Sequence, residues 1–360
     1  MSSNNLKKVG SLPSWKEFEG MVEGIWEREY YTNHGPLVSS LEARVGGLLG
    51  VKHVICMTNS SIALMIALKA LGINGEVVLP SFSHINIAQS VKWAGLEAEF
   101  CDVKNNSFDI DPNEIINKRN KDVELIIAIN DYGVISEIDK LEEVTAQQKL
   151  KLLFISNPFF GEEYKGKKFG SFGDLEVFSF HESQLINGAD GACVCTSDDL
   201  LASRLRNIRS SYGAGKQVPI PYTGNGRMSE IQAGLSLLSL DNLENKRNEV
   251  LKRKNEFTEF IEKINGVSIY NPTSVSSNFI LELDTIKLDI NFKDIEFKLK
   301  LINKHIELFK FHGAEIYPPF KRKDFSTNSL VNNTIGLPSN ITSKEFHDVI
   351  SILTQKNQAN

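Results

Sequence analysis

Residues 178–192 read Phe178-Ser179-Phe180-His181-Glu182-Ser183-Gln184-Leu185-Ile186-Asn187-Gly188-Ala189-Asp190-Gly191-Ala192. An apolar strand, Leu175 to Phe180, runs straight into a polar turn and then a glycine-containing loop. Short strands that end in a polar, small-residue turn are where α/β proteins place reactive groups.

Upstream of this stretch, short apolar runs alternate with helical patterns. Strands are predicted at 53–57, 76–80, 96–100, 125–129 and 152–155. Helices are predicted at 14–30, from Val38 to Leu48, from Ile62 to Leu71, after Asn86, and at about 112–118 and 137–148. This alternation argues for an α/β fold with a mostly parallel sheet and helices on both faces. Downstream, Leu200 to Ile208 reads as a helix with basic last turns, Arg204, Arg206 and then Arg209, as suits a helix C-terminus. Residues 210–227 form a long Gly-, Pro- and Tyr-rich loop, and Met228 to Leu243 is helical. From about residue 247 the composition shifts to Lys, Asn and Glu. Strands at 267–270, 278–283 and 334–337 with helices near 293–308 and 343–354 predict a smaller C-terminal α+β domain. The expected division is 1–245 and 246–360.

The chain has 360 residues, 41% of them hydrophobic, ample for a large core. Its net charge is −5 with interspersed signs, so no basic stripe points to nucleic acid. The start, Met1 to Lys8, has no apolar run after its basic pair, unlike a secretory signal. No run approaches the ~20 apolar residues of a membrane helix. The four cysteines, Cys56, Cys101, Cys193 and Cys195, sit in strand-like surroundings. Cys193 and Cys195 would share one face of a single strand, without a second ligand pair for a metal. Buried reduced thiols and a cytoplasmic location are expected.

The 178–192 stretch resembles the lysine segment of the DegT/DnrJ/EryC1/StrS family, sugar-nucleotide aminotransferases that use pyridoxal phosphate (PLP). The family pattern is roughly Phe-Ser-Phe-His-x-Thr-Lys-Asn-Leu, then Gly-Glu-Gly-Gly. Further ordered matches span most of residues 25–265. They are Thr32-Asn33-x-Gly35-Pro36 with Leu41-Glu42, Asn59-Ser60-Ser61-Ile62-Ala63-Leu64, Pro80-Ser81-Phe82-Ser83, Asp109-Ile110-Asp111-Pro112, Tyr132-Gly133 and Asn225-Gly226-Arg227-Met228-Ser229-Glu230-Ile231-Gln232-Ala233. The resemblance implies aminotransferase fold type I and a homodimer with its cleft at the subunit interface. It also implies a phosphate site at Ser60, Ser61 and Ser179, with Asn225 reaching across from the second subunit. Asn33, Arg227 and Tyr317 fall at substrate-side positions.

The same resemblance exposes departures. Gln184 stands at the lysine position, and an amide cannot form a Schiff base. Ile155 stands where the family places the carboxylate that keeps the pyridine nitrogen protonated. His84 replaces the aromatic stacker, and Ala189-Asp190-Gly191-Ala192 replaces Gly-Glu-Gly-Gly. No cofactor is therefore expected, with PLP or PMP bound only if the degenerate site still accepts it. A family variation with histidine at the lysine position exists in a PLP-dependent sugar dehydratase.

Candidate acid/base groups are His84, His181, Glu182 and Asp131, since histidine and a nearby carboxylate titrate usefully near neutrality. For each a plainer reading stands beside it: His181 as a packing residue, His84 as a loop histidine, Asp131 as a solvated loop carboxylate. Ser60 and Ser61 are expected to cap a helix starting at Ile62, a role whose backbone donors also suit an anion. His34, His53, His305, His312 and His347 are scattered and receive no role. Three functions remain open. The chain is a PLP-independent enzyme on a nucleotide-linked sugar in polysaccharide or deoxysugar biosynthesis; or a non-catalytic sugar-nucleotide binder or partner subunit of an active aminotransferase paralogue; or a PLP enzyme with an atypical site. No nucleic acid or membrane partner is expected.

Overall fold

The computed structural model describes residues 13–104, 107–117, 122–131, 134–269, 278–283, 334–338 and 343–354. A seven-stranded sheet forms the centre. Its strands are β1 (His53–Met57), β2 (Glu76–Pro80), β3 (Glu97–Cys101), β4 (Val123–Ile129), β5 (Lys151–Ile155), β8 (Leu175–Ser179) and β9 (Ala192–Thr196), in the order β1-β9-β8-β5-β4-β2-β3. The two-residue strands β6 (Glu163–Tyr164) and β7 (Lys167–Lys168) pair as a separate hairpin. Neighbours from β8 to β3 are parallel, while β9 runs antiparallel to both β8 and β1. The sheet is thus mostly parallel, as expected, with one reversed strand. Cys193 and Cys195 lie fully buried on one face of that strand, and all four thiols are free.

Burial on both faces explains the near-continuous apolar strands. In β4, Leu125, Ile127 and Ile129 face one side, while Ile126 and Ala128 face the other. The first side is covered by α3 (Ser60–Leu71), α4 (Ile85–Trp93) and α7 (Asp199–Ser210). The second is covered by α2 (Pro36–Leu49), α6 (Ile138–Gln148) and α8 (Glu230–Asp241). Ahead of them, α1 (Trp15–Arg28) packs on α8, and the short α5 (Pro112–Asn117) packs on α6.

The entry to α2 depends on a distant residue. Gly35 precedes the helix and has no side chain to cap it. The Glu230 carboxylate takes that role, accepting from Leu37 N at 2.9 Å and Val38 N at 3.0 Å. A side chain at 35 would collide with it, because a Cβ there would lie 2.5 Å from the Glu230 carboxyl carbon.

The α9 helix (Leu243–Ile261) is continuous across the expected domain division at 245/246. Leu243 and Val250 pack in the large core, whereas Phe257 and Ile261 pack in a second one. That second core lies between α9, α10 (Ser343–Thr354) and the antiparallel sheet β10 (Val267–Ile269), β11 (Asn278–Leu283), β12 (Thr334–Pro338). Phe257 stacks on Phe346 there at 3.8 Å. The helix expected near 293–308 lies outside the described residues.

Glu176 in β8 is fully buried. Its Oε2 accepts from Gly170 N at 2.5 Å and Phe172 N at 3.2 Å. Desolvation pushes its pKa up to about 7, against the opposing pull of these donors. A carboxyl whose folded pKa exceeds its unfolded value stabilises the fold fully below the unfolded pKa. That contribution is lost as pH rises through the folded pKa. The stability of wild type relative to Glu176→Gln should therefore fall between about pH 4.5 and 7 and level off above. Urea denaturation at graded pH measures this; a pH-independent difference contradicts it.

Candidate functional site

Because β1, β2, β4, β5 and β8 run the same way, their carboxyl ends meet along one edge of the sheet. The loops leaving those ends gather on the side of the sheet where open α/β folds hold ligands in a cleft. At the end of β1, the Asn59 side chain accepts from Ile62 N at 2.8 Å and is the N-cap of α3. Ser60 and Ser61 are therefore the first two helical residues rather than caps of a helix starting at Ile62. Both are half-exposed. The unpaired backbone N–H groups and positive dipole end of a first helical turn favour an anion.

At the end of β8, Ser179 is nearly buried and donates its N–H to Asn157 Oδ1 at 2.8 Å. Its hydroxyl accepts from His181 N at 3.3 Å. His181 is exposed, and its Nδ1 lies 3.0 Å from Ser183 Oγ and 3.3 Å from Ser183 N, its donor. That nitrogen serves the histidine's own turn. Glu182 is likewise exposed. Gln184 closes the turn through its N–H to His181 O at 2.9 Å. The Gln184 Oε1 is buried and has no hydrogen-bond partner among the described residues. A buried acceptor left unmet costs roughly 1–3 kcal/mol.

The ends of β2 and β4 bring two more groups together. His84 precedes α4 without capping it through its side chain. Its Nε2 lies 3.9 Å from Asp131 Oδ2, with the histidine 56% exposed and the aspartate 11%. The position of Asp131 is held by its neighbour. Asn130 is fully buried, donating its backbone N–H to Ile155 O at 2.8 Å and Nδ2 to Ser156 Oγ at 2.9 Å. Its Oδ1 accepts from Ser136 N at 2.8 Å. Ile155 itself ends β5 in the apolar cluster with Leu153, Val177 and Ala192.

Residues 225–227 lie against the end of β1: Arg227 bridges to Met57, and Thr58 N donates to Gly226 O at 3.0 Å. Arg227 Nε donates to Asn225 Oδ1 at 2.9 Å, and Arg227 Nη1 to Asn33 Oδ1. Asn225, Arg227 and Asn33, assigned separately to cofactor and substrate in the sequence reading, form one chain of contacts. Tyr317 and Tyr132-Gly133 lie outside the described residues.

Asn33 and His34 both adopt left-handed backbone, with φ of 71° and 58°. His34 Nε2 lies 3.5 Å from Arg209 Nη2. A guanidinium only donates, so Nε2 is the unprotonated nitrogen. Burial, followed by the charges of Arg209, Arg227 and Arg206, lowers the His34 pKa to about 4. Arg209 is 1% exposed and donates to Glu42 Oε1 at 2.7 Å and Cys56 O at 2.6 Å. Expected as part of the basic end of its helix, it is also a buried ion-pair residue of the core. The role of His34 left no trace in the sequence, because its partners lie 175 and 193 residues away.

The structure thus gathers His84 with Asp131, Asn33 with Arg227 and Asn225, and Ser60 and Ser61 at one helix start. His181 and Glu182 occupy the exposed outer part of the turn.

Comparison with known proteins gives these contacts a context. The profile of the DegT/DnrJ/EryC1/StrS aminotransferase family matches residues 14–353. The chain is 27% identical over 289 residues to the dTDP-4-amino-4,6-dideoxy-D-glucose transaminase of Escherichia coli, spanning 78% of this chain and 76% of the relative. Its fold is that of DesI, solved in the presence of its TDP-sugar product, with a TM-score of 0.90 at 23% identity, covering 100% of this chain and 95% of DesI. It also superposes on GDP-4-keto-6-deoxymannose-3-dehydratase, solved with a trapped PLP-glutamate geminal diamine, with a TM-score of 0.80 at 17% identity, covering 94% and 97% of the two chains. A match over nearly the whole length makes the chain a member of the DegT/DnrJ/EryC1/StrS aminotransferase family, with aminotransferase fold type I.

Proposed function

We propose that this family member acts on a nucleotide-linked sugar by proton transfer and has abandoned PLP transamination. The single observation that carries this reading is the approach of His84 to Asp131, 3.9 Å apart at the carboxyl edge of the sheet. The His84 imidazole exchanges a proton with substrate. Asp131 stabilises the imidazolium as it forms. The α3 start at Ser60 and Ser61 holds a phosphate oxygen, and Gln184 Oε1 accepts from a sugar hydroxyl. Relatives make 4-amino sugars, and the ketone from which a transaminase forms such an amine has acidic neighbouring C–H bonds. Transfer of that hydrogen to His84 and its return from the imidazolium balances without a cofactor.

The fit of PLP supports the same reading. Its phosphate suits the α3 start. Its reactive half does not suit the residues present: Gln184 offers a buried amide oxygen in place of an amine, and Ile155 offers an apolar surface that favours a neutral pyridine. No step is therefore assigned to PLP. As a homodimer, the protein would place the exposed Asn225 and its neighbours at the partner's cleft. Trp26 and Tyr31, 72% and 50% exposed and packed edge-on, lie beside the Asn33 turn and suit the same interface.

In heavy water, 4-keto-6-deoxy sugars linked to dTDP, UDP, GDP or CDP should exchange the hydrogen beside the ketone, followed by NMR. His84→Gln and Asp131→Asn should slow this about 100-fold while ligand-induced thermal stabilisation remains. Stabilisation without exchange in wild type would assign the cleft to binding alone. Wild type should be colourless and lose added PLP on dialysis. Gln184→Lys with Ile155→Asp should retain PLP that borohydride fixes at position 184, by more than the two single changes together. Stoichiometric PLP in wild type sinks the proposal. Light scattering at micromolar concentration should give twice the chain mass, and a monomer there argues against the shared cleft.

A further inference from the structure

A lysine amine stands apart from this cleft, in a cavity of about 270 Å³ where the start of α1 meets the α8–α9 corner. Lys246 lines it with Ser14, Glu17, Ser239, Asn242 and Glu249. Lys246 is half-buried and forms no ion pair among the described residues. The carboxylates nearby have closer partners, although the charge of Glu249 opposes the effect of burial on the amine. Glu17 accepts from Ser14 N at 2.8 Å and Ser14 Oγ at 2.7 Å, and Glu249 lies 3.5 Å from Arg253.

The amine is held by one hydroxyl. Lys246 Nζ donates to Ser239 Oγ at 2.8 Å. The same oxygen accepts from Asn187 N at 2.8 Å and donates to Leu185 O at 3.3 Å. One donor and two lone pairs are then all used. Ser239 is 3% exposed, so this arrangement is rigid on the protein side and leaves the rest of the amine to the cavity.

We infer that Lys246 is a carbonyl-reactive amine and that its cavity is a covalent site for a small neutral aldehyde. Burial lowers its pKa to about 8, which raises the neutral, nucleophilic fraction near physiological pH. The amine lone pair adds to the carbonyl carbon to give a carbinolamine. Loss of water then leaves an imine, so the atoms balance without an oxidant or reductant. With the amine neutral and Glu249 paired to Arg253, Glu17 leaves the cavity wall negatively charged, which disfavours anionic carbonyl compounds. The inference is independent of the cleft and its proposed chemistry.

The test treats the full-length protein with glycolaldehyde and sodium cyanoborohydride between pH 6 and 10, and quantifies each lysine by peptide mass spectrometry. Lys252, exposed on the same helix, is the internal reference. At pH 7, Lys246 should be modified about tenfold faster than Lys252, and its rate should rise with a midpoint near 8. Lys246→Arg should abolish this fast phase without shifting the melting temperature. Ser239→Ala should reduce the preference for Lys246. PLP, an anionic aldehyde, should show no such preference. Equal rates at Lys246 and Lys252 overturn the site, and selective addition of PLP at Lys246 overturns its assignment to neutral ligands.

Discussion

The structure turns on one reversed strand. β9 pairs antiparallel with β8 through Ser179 and Ala192, and with β1 through Met57 and Ala192. Inserting it leaves β1 and β8 pointing the same way, two strands apart. The start of α3 and the 180–190 turn consequently open on the same edge. The Gln232 carboxamide clamps this arrangement from α8. Its Nε2 donates to Thr58 O at 2.9 Å and Asp190 O at 3.2 Å, while its Oε1 accepts from Ser229 N at 3.1 Å. One side chain so joins the end of β1, the loop before β9 and the start of a helix.

Buried charge extends the same logic beneath the cleft. Glu230 satisfies the first turn of α2, and Arg209 joins Glu42 to the backbone of β1. Such groups are costly to desolvate, and loss of either member of a buried pair typically costs about 3–5 kcal/mol. Their cost fixes geometry: the loop carrying Asn33 and His34 must keep one position over β1, which aligns Arg227 with Asn33. The left-handed backbone at both residues is held by this surrounding network.

Two parts of the cleft differ in character. The part at the start of α3 offers backbone donors, which tolerate many side chains. The part proposed to be reactive depends on individual side chains, Gln184, Ile155, His84 and Asp131. A family fold can keep the first while the second is rebuilt, because helix and strand positions do not depend on what the loop tips carry.

Much was already determined by the sequence. The apolar runs required a mostly parallel sheet, and the ordered motifs from Asn33 to Ala233 pointed to the family, because local pattern and spacing carry that information. The chemical identity of Gln184 was equally legible, since an amide is not an amine wherever it sits. Tertiary structure alone decided which groups meet. His84 and Asp131 are 47 residues apart and become neighbours only because β2 and β4 lie side by side. Arg209 reads as part of a basic helix end, and its burial against Glu42 and β1 is visible only in the fold. Asn59, not Ser60 or Ser61, caps α3 because the helix already starts at Ser60, which brings Ile62 N within reach of the Asn59 side chain. Lys246 is one of three lysines in a charged helix, and burial in the fold lowers its basicity. Periodicity encodes what a residue does along its own element; desolvation and charge pairing depend on chain segments that sequence distance does not reveal.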